Sequence, residues 1–331
     1  MSISRRKAAA ALVALAISPI ATSAAWALNE EAQAAKDEGM RLWGISEWIK
    51  MQPYLEQAAE AGDVEALYYL GEATRLLDRG LSQRAMAWYL QAAEQGDVHA
   101  MLRLFQGGAC TAGDRCPEGY EDWHHAALAV AQPQAEAGDP DSMLAMFDIY
   151  RMFDQPRRAG DWLERAAEAG QPEAQTILGN QILDGRGWYL TNGRRLSAAE
   201  EWFHKAAEQG YVPAISRMAD VLRRQGDYQL SWEWMKKASL SGNYDSRLGV
   251  GWCYLDPQRD DRCQNEQEKI QGWAILHALS IEMDDTSARS VMEWNEEQLP
   301  AEERREAEEL AGAEWIGREP PLSRFPSRFG Y

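Results

Sequence analysis

A chain of 331 residues with a formal net charge of −18 is long enough for two globular domains or one elongated array. Its acidity argues against nucleic acid and anionic lipid surfaces as partners, since both would be repelled. A protein with a basic surface patch is the partner that this charge favours.

At the N-terminus, Arg5, Arg6 and Lys7 form a positive segment and Ala8 to Ile20 a short apolar one, ahead of the small-residue pattern Ala25-Trp26-Ala27. This order predicts a signal peptide over residues 1–27, cut after Ala27, that directs the protein to the periplasm or beyond. The apolar run is too short to anchor the chain in a bilayer, and no later segment reads as a membrane span. The mature protein is therefore not expected to be membrane-embedded. Ser4-Arg5-Arg6 leaves open whether export is general or twin-arginine. Losing three cations and no acids takes the formal charge from −18 to −21.

Residues 28–57 read as an N-terminal helical cap. Beyond it a phrase recurs: Ala58-Ala59-Glu60-Ala61-Gly62, Ala92-Ala93-Glu94-Gln95-Gly96, Ala135-Glu136-Ala137-Gly138, Ala166-Ala167-Glu168-Ala169-Gly170, Ala206-Ala207-Glu208-Gln209-Gly210, and the divergent Ala238 to Gly242. Fixed phrasing at intervals of 34, 42, 32, 40 and 32 residues means rigid elements joined by loops of changing length. Four residues after each glycine sits a small side chain (Ala66, Ala100, Ser142, Ala174, Ala214, Ser246), and eight after it an apolar one (Leu70, Leu104, Met146, Leu178, Met218, Val250). That spacing places both on one face of a helix, termed helix A. Trp88, Trp162, Trp202 and Trp234 precede the alanine pairs on a helix B, where they are expected to fill the space between helix pairs. The glycines suit a left-handed helix end, and Asp63, Asp97, Asp139 and Asn243 suit N-caps of the next helix.

The strings Ala66…Leu70-Gly71 and Ala174…Leu178-Gly179, followed by Trp88 to Gly96 and Trp202 to Gly210, closely resemble Sel1-like repeats, relatives of the tetratricopeptide repeat. The resemblance covers about residues 48 to 280 and implies an all-α fold, an α/α superhelical solenoid of about six to seven helix-pair repeats with terminal caps. A single pair cannot bury its apolar face alone, so the units must stack. The solenoid is placed at residues 58–282, with a degenerate last helix B through Trp273 to Ser280. Capping helices follow over 283–317, Pro300 starting the last of them. A Pro/Arg/aromatic tail ends the chain over 318–331, with Arg324, Phe325, Arg328, Phe329 and Tyr331; it either docks on the solenoid or awaits a partner.

Four cysteines form two close pairs, Cys110/Cys116 and Cys253/Cys263. An even count in an exported chain reads as two local disulfides. The rival zinc site lacks both Cys-x-x-Cys spacing and a histidine at finger distance.

Chemistry is sparse. Cysteine-rich relatives of this family are associated with β-lactam binding, but Ser-x-x-Lys occurs only at Ser4…Lys7, within the signal, and Lys-Thr-Gly is absent. There is no Gly-x-Ser-x-Gly, phosphate-loop Gly-Lys or His-Glu-x-x-His. His124 and His125 point apart on a helix, so a packed or solvated role outweighs a metal site. The carboxylates from Glu302 to Glu309 read as a solvated helix face. Tryptophans at the repeat's packing position read as core rather than as carbohydrate platforms. No cofactor, metal or catalytic group is expected, and an enzyme is the disfavoured reading.

In solenoids of this kind helix A lines the concave face. Offsets of three, seven, ten and fourteen from each glycine give 24 positions, nine of them acidic: Glu65, Glu72, Asp141, Asp148, Glu173, Asp184, Asp220, Asp245 and Asp256. Helix N-termini attract acids anyway, which accounts for the four at offset three. With the aromatic positions Tyr69 and Trp252, the candidate partner-binding set is Tyr69, Glu72, Arg103, Asp148, Asp184, Arg217, Asp220 and Trp252. Exported proteins with such repeats resemble the immunity proteins that accompany type VI secretion lipase effectors. The expected function is a periplasmic solenoid that neutralises or escorts one partner; a scaffold in envelope assembly or signalling is the alternative.

Overall fold

The computed structural model describes residues 28–111, 115–258 and 260–329. The expected signal peptide and Tyr331 lie outside them. The described residues form sixteen α-helices. Two lead-in helices, α1 (Glu30–Gly44) and α2 (Trp48–Glu60), precede six helix pairs. These pairs are α3 (Val64–Leu77) with α4 (Gln83–Glu94), α5 (Val98–Gln106) with α6 (Trp123–Glu136), and α7 (Pro140–Met152) with α8 (Pro156–Glu168). They continue with α9 (Pro172–Leu183) and α10 (Asn192–Glu208), α11 (Val212–Gln225) and α12 (Tyr228–Leu240), then α13 (Tyr244–Leu255) and α14 (Lys269–Glu282). Helices α15 (Thr286–Asn295) and α16 (Ala301–Leu310) close the array. Each helix from α1 to α14 packs against its neighbour in sequence, giving an α/α superhelical solenoid.

Local chemistry explains the regularity. All six repeat glycines, from Gly62 to Gly242, hold φ between +80° and +103°, a left-handed turn that a side chain would strain. Just beyond, the carboxylates of Asp63, Asp97 and Asp139 and the amide of Asn243 accept the backbone N–H three residues on, at 2.7 to 2.9 Å. One helix is thus stopped and the next capped within two residues. The small residue of helix A is buried in every unit, and on helix B so are Ala92-Ala93, Ala166-Ala167 and Ala206-Ala207. In the Leu-Gly step, a Cβ on Gly71 would lie 2.6 Å from the Tyr89 ring, and one on Gly179 would lie 2.6 Å from Phe203. Those glycines let an aromatic of helix B lie flat on helix A.

The tryptophans are less buried than a core reading implies. Trp88, Trp162, Trp202 and Trp234 are only half-buried, and the residue after each (Tyr89, Leu163, Phe203, Met235) fills the core. Three of the tryptophans carry a cation over the ring from one turn later: Arg165 over Trp162, Lys205 over Trp202 and Lys237 over Trp234, at 3.7 to 4.4 Å. An indole ring is large enough to close the seam between units while its outer face takes a cation.

Cys110 pairs with Cys116 and Cys253 with Cys263, with Cα atoms 4.6 and 5.1 Å apart. The first bridge closes the long α5–α6 connection and the second ties the end of α13 to the loop that follows. Among the described residues, no helix is long and apolar enough to cross a membrane.

Candidate protein-binding groove

The odd-numbered helices α3 to α13 are the helices A, and their repeat offsets line a shared inner face. A cavity of about 500 Å³ is bounded by His99, Asp141, Asp148, Glu173 and Ile177, each at offset three, seven or ten from a repeat glycine. A second, of about 350 Å³, is bounded by Pro213, Arg217, Asp220 and Asp245 at the same offsets. Both are also lined by the C-terminal segment, the first by Arg328 and Phe329 and the second by Arg324 and Phe325. The tail therefore docks, and it docks in the groove.

Its path follows from unsatisfied helix ends. The last carbonyls of a helix and its first N–H groups lack partners within the helix. Arg324 N–H donates to the Gly44 carbonyl at the end of α1 (2.8 Å), and the Ser323 carbonyl accepts from Tyr244 N–H at the start of α13 (3.1 Å). Ser323 N–H donates to the Gly242 carbonyl (2.9 Å), completing a one-residue β-bridge with Asn243. This short stitch joins the first helix of the array to the last repeat. Onward, the Arg328 carbonyl accepts from the Tyr68 hydroxyl at 2.5 Å.

Side chains complete the fit. Arg324 lies 3.8 Å above the Tyr244 ring and 3.5 Å from Asp285. Arg328 donates to Asp97 at 2.7 Å and sits 4.0 Å from Glu65. Phe329 is 5% exposed, held between His99 and the Arg103 guanidinium, which lies 4.4 Å from its ring centre. Leu322 is also buried, whereas Pro326 and Ser327 are exposed.

The electrostatics of the wall are set by burial. Burial raises the Asp97 carboxyl above its ordinary pKa even though Arg328 and the capping hydrogen bond oppose it. Burial pushes Asp148 up to about 7 against the pull of Arg151 and Arg103, and Glu173 is raised for the same reason. His99 is driven down to about 3, first by burial and then by the charges of Arg328 and Arg103, so it is neutral at physiological pH. Glu72 behaves oppositely. Burial would raise it, but Arg103, Arg75 and the Tyr89 hydroxyl together hold it below the usual carboxylate range.

The eight residues singled out in the sequence occupy three settings. Tyr69, Glu72, Arg103 and Asp148 are buried in the groove wall. Glu72 accepts from Arg103 at 2.6 and 3.1 Å, from Arg75 at 2.7 Å and from Tyr89 at 2.7 Å, while Tyr69 packs 5.2 Å from Trp43. Arg217 and Asp220 form an ion pair at 3.3 Å in the second cavity. Trp252 is half-buried, 6.4 Å from Trp294, beside the Cys253–Cys263 bridge. Asp184 is an exposed residue at the end of α9, and neither groove cavity includes it. The sequence reading missed Tyr68, Asp97, His99, Asn243 and Tyr244 as groove residues. His99 did stand at a stripe offset, and Asp97 and Asn243 were assigned to capping alone. Among the described residues, no group of three or more His, Cys, Asp or Glu is placed to hold a metal.

No curated protein matches the chain in sequence. Among solved structures it is similar to a protective antigen of uropathogenic Escherichia coli strains with an SLR fold (22% identity, TM-score 0.48, 86% of this chain and 61% of that one). It is similar also to a Sel1 repeat protein from Oxalobacter formigenes (18%, 0.39, 77% and 99%). A third is an immunity protein from Pseudomonas aeruginosa (21%, 0.41, 78% and 85%). The chain thus spans about 61% of the length of the first of these, and at such identities the likeness is one of fold alone. The Sel1 repeat pattern matches residues 54–63, 64–97, 153–171, 172–211 and 219–243, segments that cover the end of α2, α3, α4, α8 to α10, the second half of α11 and α12, with glycine turns among them. With its repeats, its turns and its stacked helix pairs in agreement, the chain carries Sel1 repeats over these five segments.

Proposed function

We propose that this is an exported binding protein whose inner groove holds a basic segment of one specific protein partner, neutralising or escorting it. The observation that carries this reading is the occupancy of the groove: the capping carboxylates Asp97 and Asp285, with Tyr244, His99 and Arg103 of the helices A, hold two arginines and a phenylalanine of the chain's own tail. Both cavities beside the tail present further carboxylates, Asp141 and Glu173 in one and Asp220 and Asp245 in the other. Such a surface steers a basic partner and discriminates against an acidic one. Export is supported by the pattern over residues 1–27 and by two disulfides, which persist in an oxidising compartment. In the immunity form of this reading, the partner is a secreted lipase effector and the complex removes its activity.

The test is capture from the periplasm of the producing cell, followed by binding kinetics on the captured protein. Asp141, Asp220 and Asp245 replaced together by asparagine should slow association and flatten its dependence on salt. Trp252→Ala should speed dissociation through loss of an aromatic anchor. Wild-type rates in both variants, or no protein captured, would reject the groove as a partner site.

A further inference from the structure

The segment in the groove has the make-up of a ligand rather than of a cap. A capping element buries apolar side chains over an open end of the core. This one buries Leu322 and Phe329, places two guanidinium groups on carboxylates, and leaves Pro326 and Ser327 in solvent. Its central hold is main chain: backbone groups of Ser323 and Arg324 pair with those of Gly242, Tyr244 and Gly44, hydrogen bonds that any extended peptide could offer. The side-chain sites are specific, with Tyr244 and Asp285 taking one arginine, Asp97 and Glu65 taking a second four residues later, and His99 and Arg103 taking the aromatic that follows. The fit is also incomplete, because the carboxylates Asp141 and Glu173 line free volume just past Arg328.

We infer that residues 322–329 are a tethered occupant of the partner site, and that the partner displaces them with an extended segment of the same chemistry. That segment carries an arginine, a second arginine four residues on, and an aromatic immediately after it. This inference rests on the proposed reading of the groove as a partner site. Displacement is physically reasonable because a tether sets an effective concentration, on the order of millimolar for a short flexible link, rather than a permanent bond. A tail closed 99% of the time weakens apparent binding of a competitor by about a hundredfold. A partner segment with extra basic residues recovers that loss by reaching Asp141 and Glu173, which the tail leaves uncovered. Binding would therefore select strongly for basic, aromatic-bearing partners and reject weaker look-alikes.

The test uses the full chain and a fluorescent synthetic peptide of residues 318–331. Wild type and the triple variant Arg324→Ala, Arg328→Ala, Phe329→Ala are titrated with the peptide at low and high salt. The variant should bind it at least tenfold more tightly than wild type, with affinity falling as salt rises. A peptide with both arginines changed to glutamate should not bind. Equal binding to the two proteins, with circular dichroism showing both folded, overturns the inference. A second measurement needs no variant: hydrogen exchange on the wild-type chain. Amides of Ser323 and Arg324 should exchange far faster than those of α9, because the tail opens on its own; exchange only with global unfolding makes the tail a fixed part of the fold and overturns the inference. A captured partner that binds wild type and variant alike defeats the tethered-occupant idea and leaves the binding function standing. Peptide binding with no partner captured supports the tail as the groove's occupant and defeats the function.

Discussion

The repeat units and the C-terminal segment are held by different kinds of contact. Within the units, partners are near in sequence: Glu72 meets Tyr89 seventeen residues on and Arg103 thirty-one residues on, one helix and two helices away. In the tail, Arg328 reaches partners 231 and 260 positions away, and its neighbours come from α1, α3, α5 and α13 at once. Short-range contacts accumulate unit by unit, so the array is stable wherever neighbours stack. The tail's contacts all depend on the superhelix having closed first. The scaffold should therefore be robust and the tail the part that can open.

The sharpest way to break this contrast is at the buried ion pair. Glu72→Ala leaves the Arg103 guanidinium buried without its carboxylate and should cost about 3–5 kcal/mol in urea unfolding. Replacing Glu72 and Arg103 together by methionine should recover most of that loss. A small effect in the single variant would show that the wall is less buried than its geometry indicates. Next in size is overpacking: Ala174→Leu or Ala214→Leu should cost about 1–3 kcal/mol in the same assay. Its damage should be concentrated in one helix pair by hydrogen exchange, and uniform loss of protection would contradict nearest-neighbour stacking. Cys253→Ser with Cys263→Ser should cost about 2–3 kcal/mol on the chain-entropy estimate. Peptide mapping under non-reducing conditions should return the two local bridges first.

A subtler comparison lies in pH, where two groups in one cavity act with opposite sign. The folded pKa of Asp148, about 7, exceeds its ordinary 3.8, so its contribution to stability is complete below 3.8 and lost as pH rises through 7. Asp148→Asn should therefore gain on wild type in thermal melting as pH goes from 5 to 8. His99 has a folded value of about 3 against 6.5, so its contribution is complete above 6.5 and lost as pH falls toward 3. His99→Gln should gain on wild type over that lower window. The same sign in both would mean that one of them is not buried. The smallest effect on global stability, under about 1 kcal/mol, should come from Arg328→Ala with Phe329→Ala. The segment it releases unfolds locally, so its amides should lose protection while the melting temperature holds.

The fold was legible because one physical solution is written six times. Gly62 and its five counterparts mark turns, Asp63 and its counterparts mark caps, and Ala66 and Leu70 mark the packed face of helix A. The tryptophans were less legible. Periodicity says that Trp88 lies near the seam but cannot say whether it or Tyr89 takes the core, since the two are adjacent and both aromatic. The groove was half legible. Its stripe of offsets was readable because helix periodicity fixes which residues share a face. The burial of Tyr69, Glu72 and Asp148 was not, because burial depends on what covers a face: Trp43 of α1 packs on Tyr69, Tyr89 and Arg103 close on Glu72, and Phe329 from the far end of the chain shares the cavity of Asp148.

The sequence by itself determined the helix pairs, their phase, the acidic inner stripe and the local cysteine pairs, since each rests on contacts within about one repeat. Only the tertiary structure decided that the groove is occupied and by what. The stitch of Ser323 and Arg324 between α1 and α13 exists because the superhelix brings the Gly44 carbonyl and the Tyr244 N–H to either side of one short segment. Curvature summed over six units sets that distance, and no pattern within any single unit encodes it.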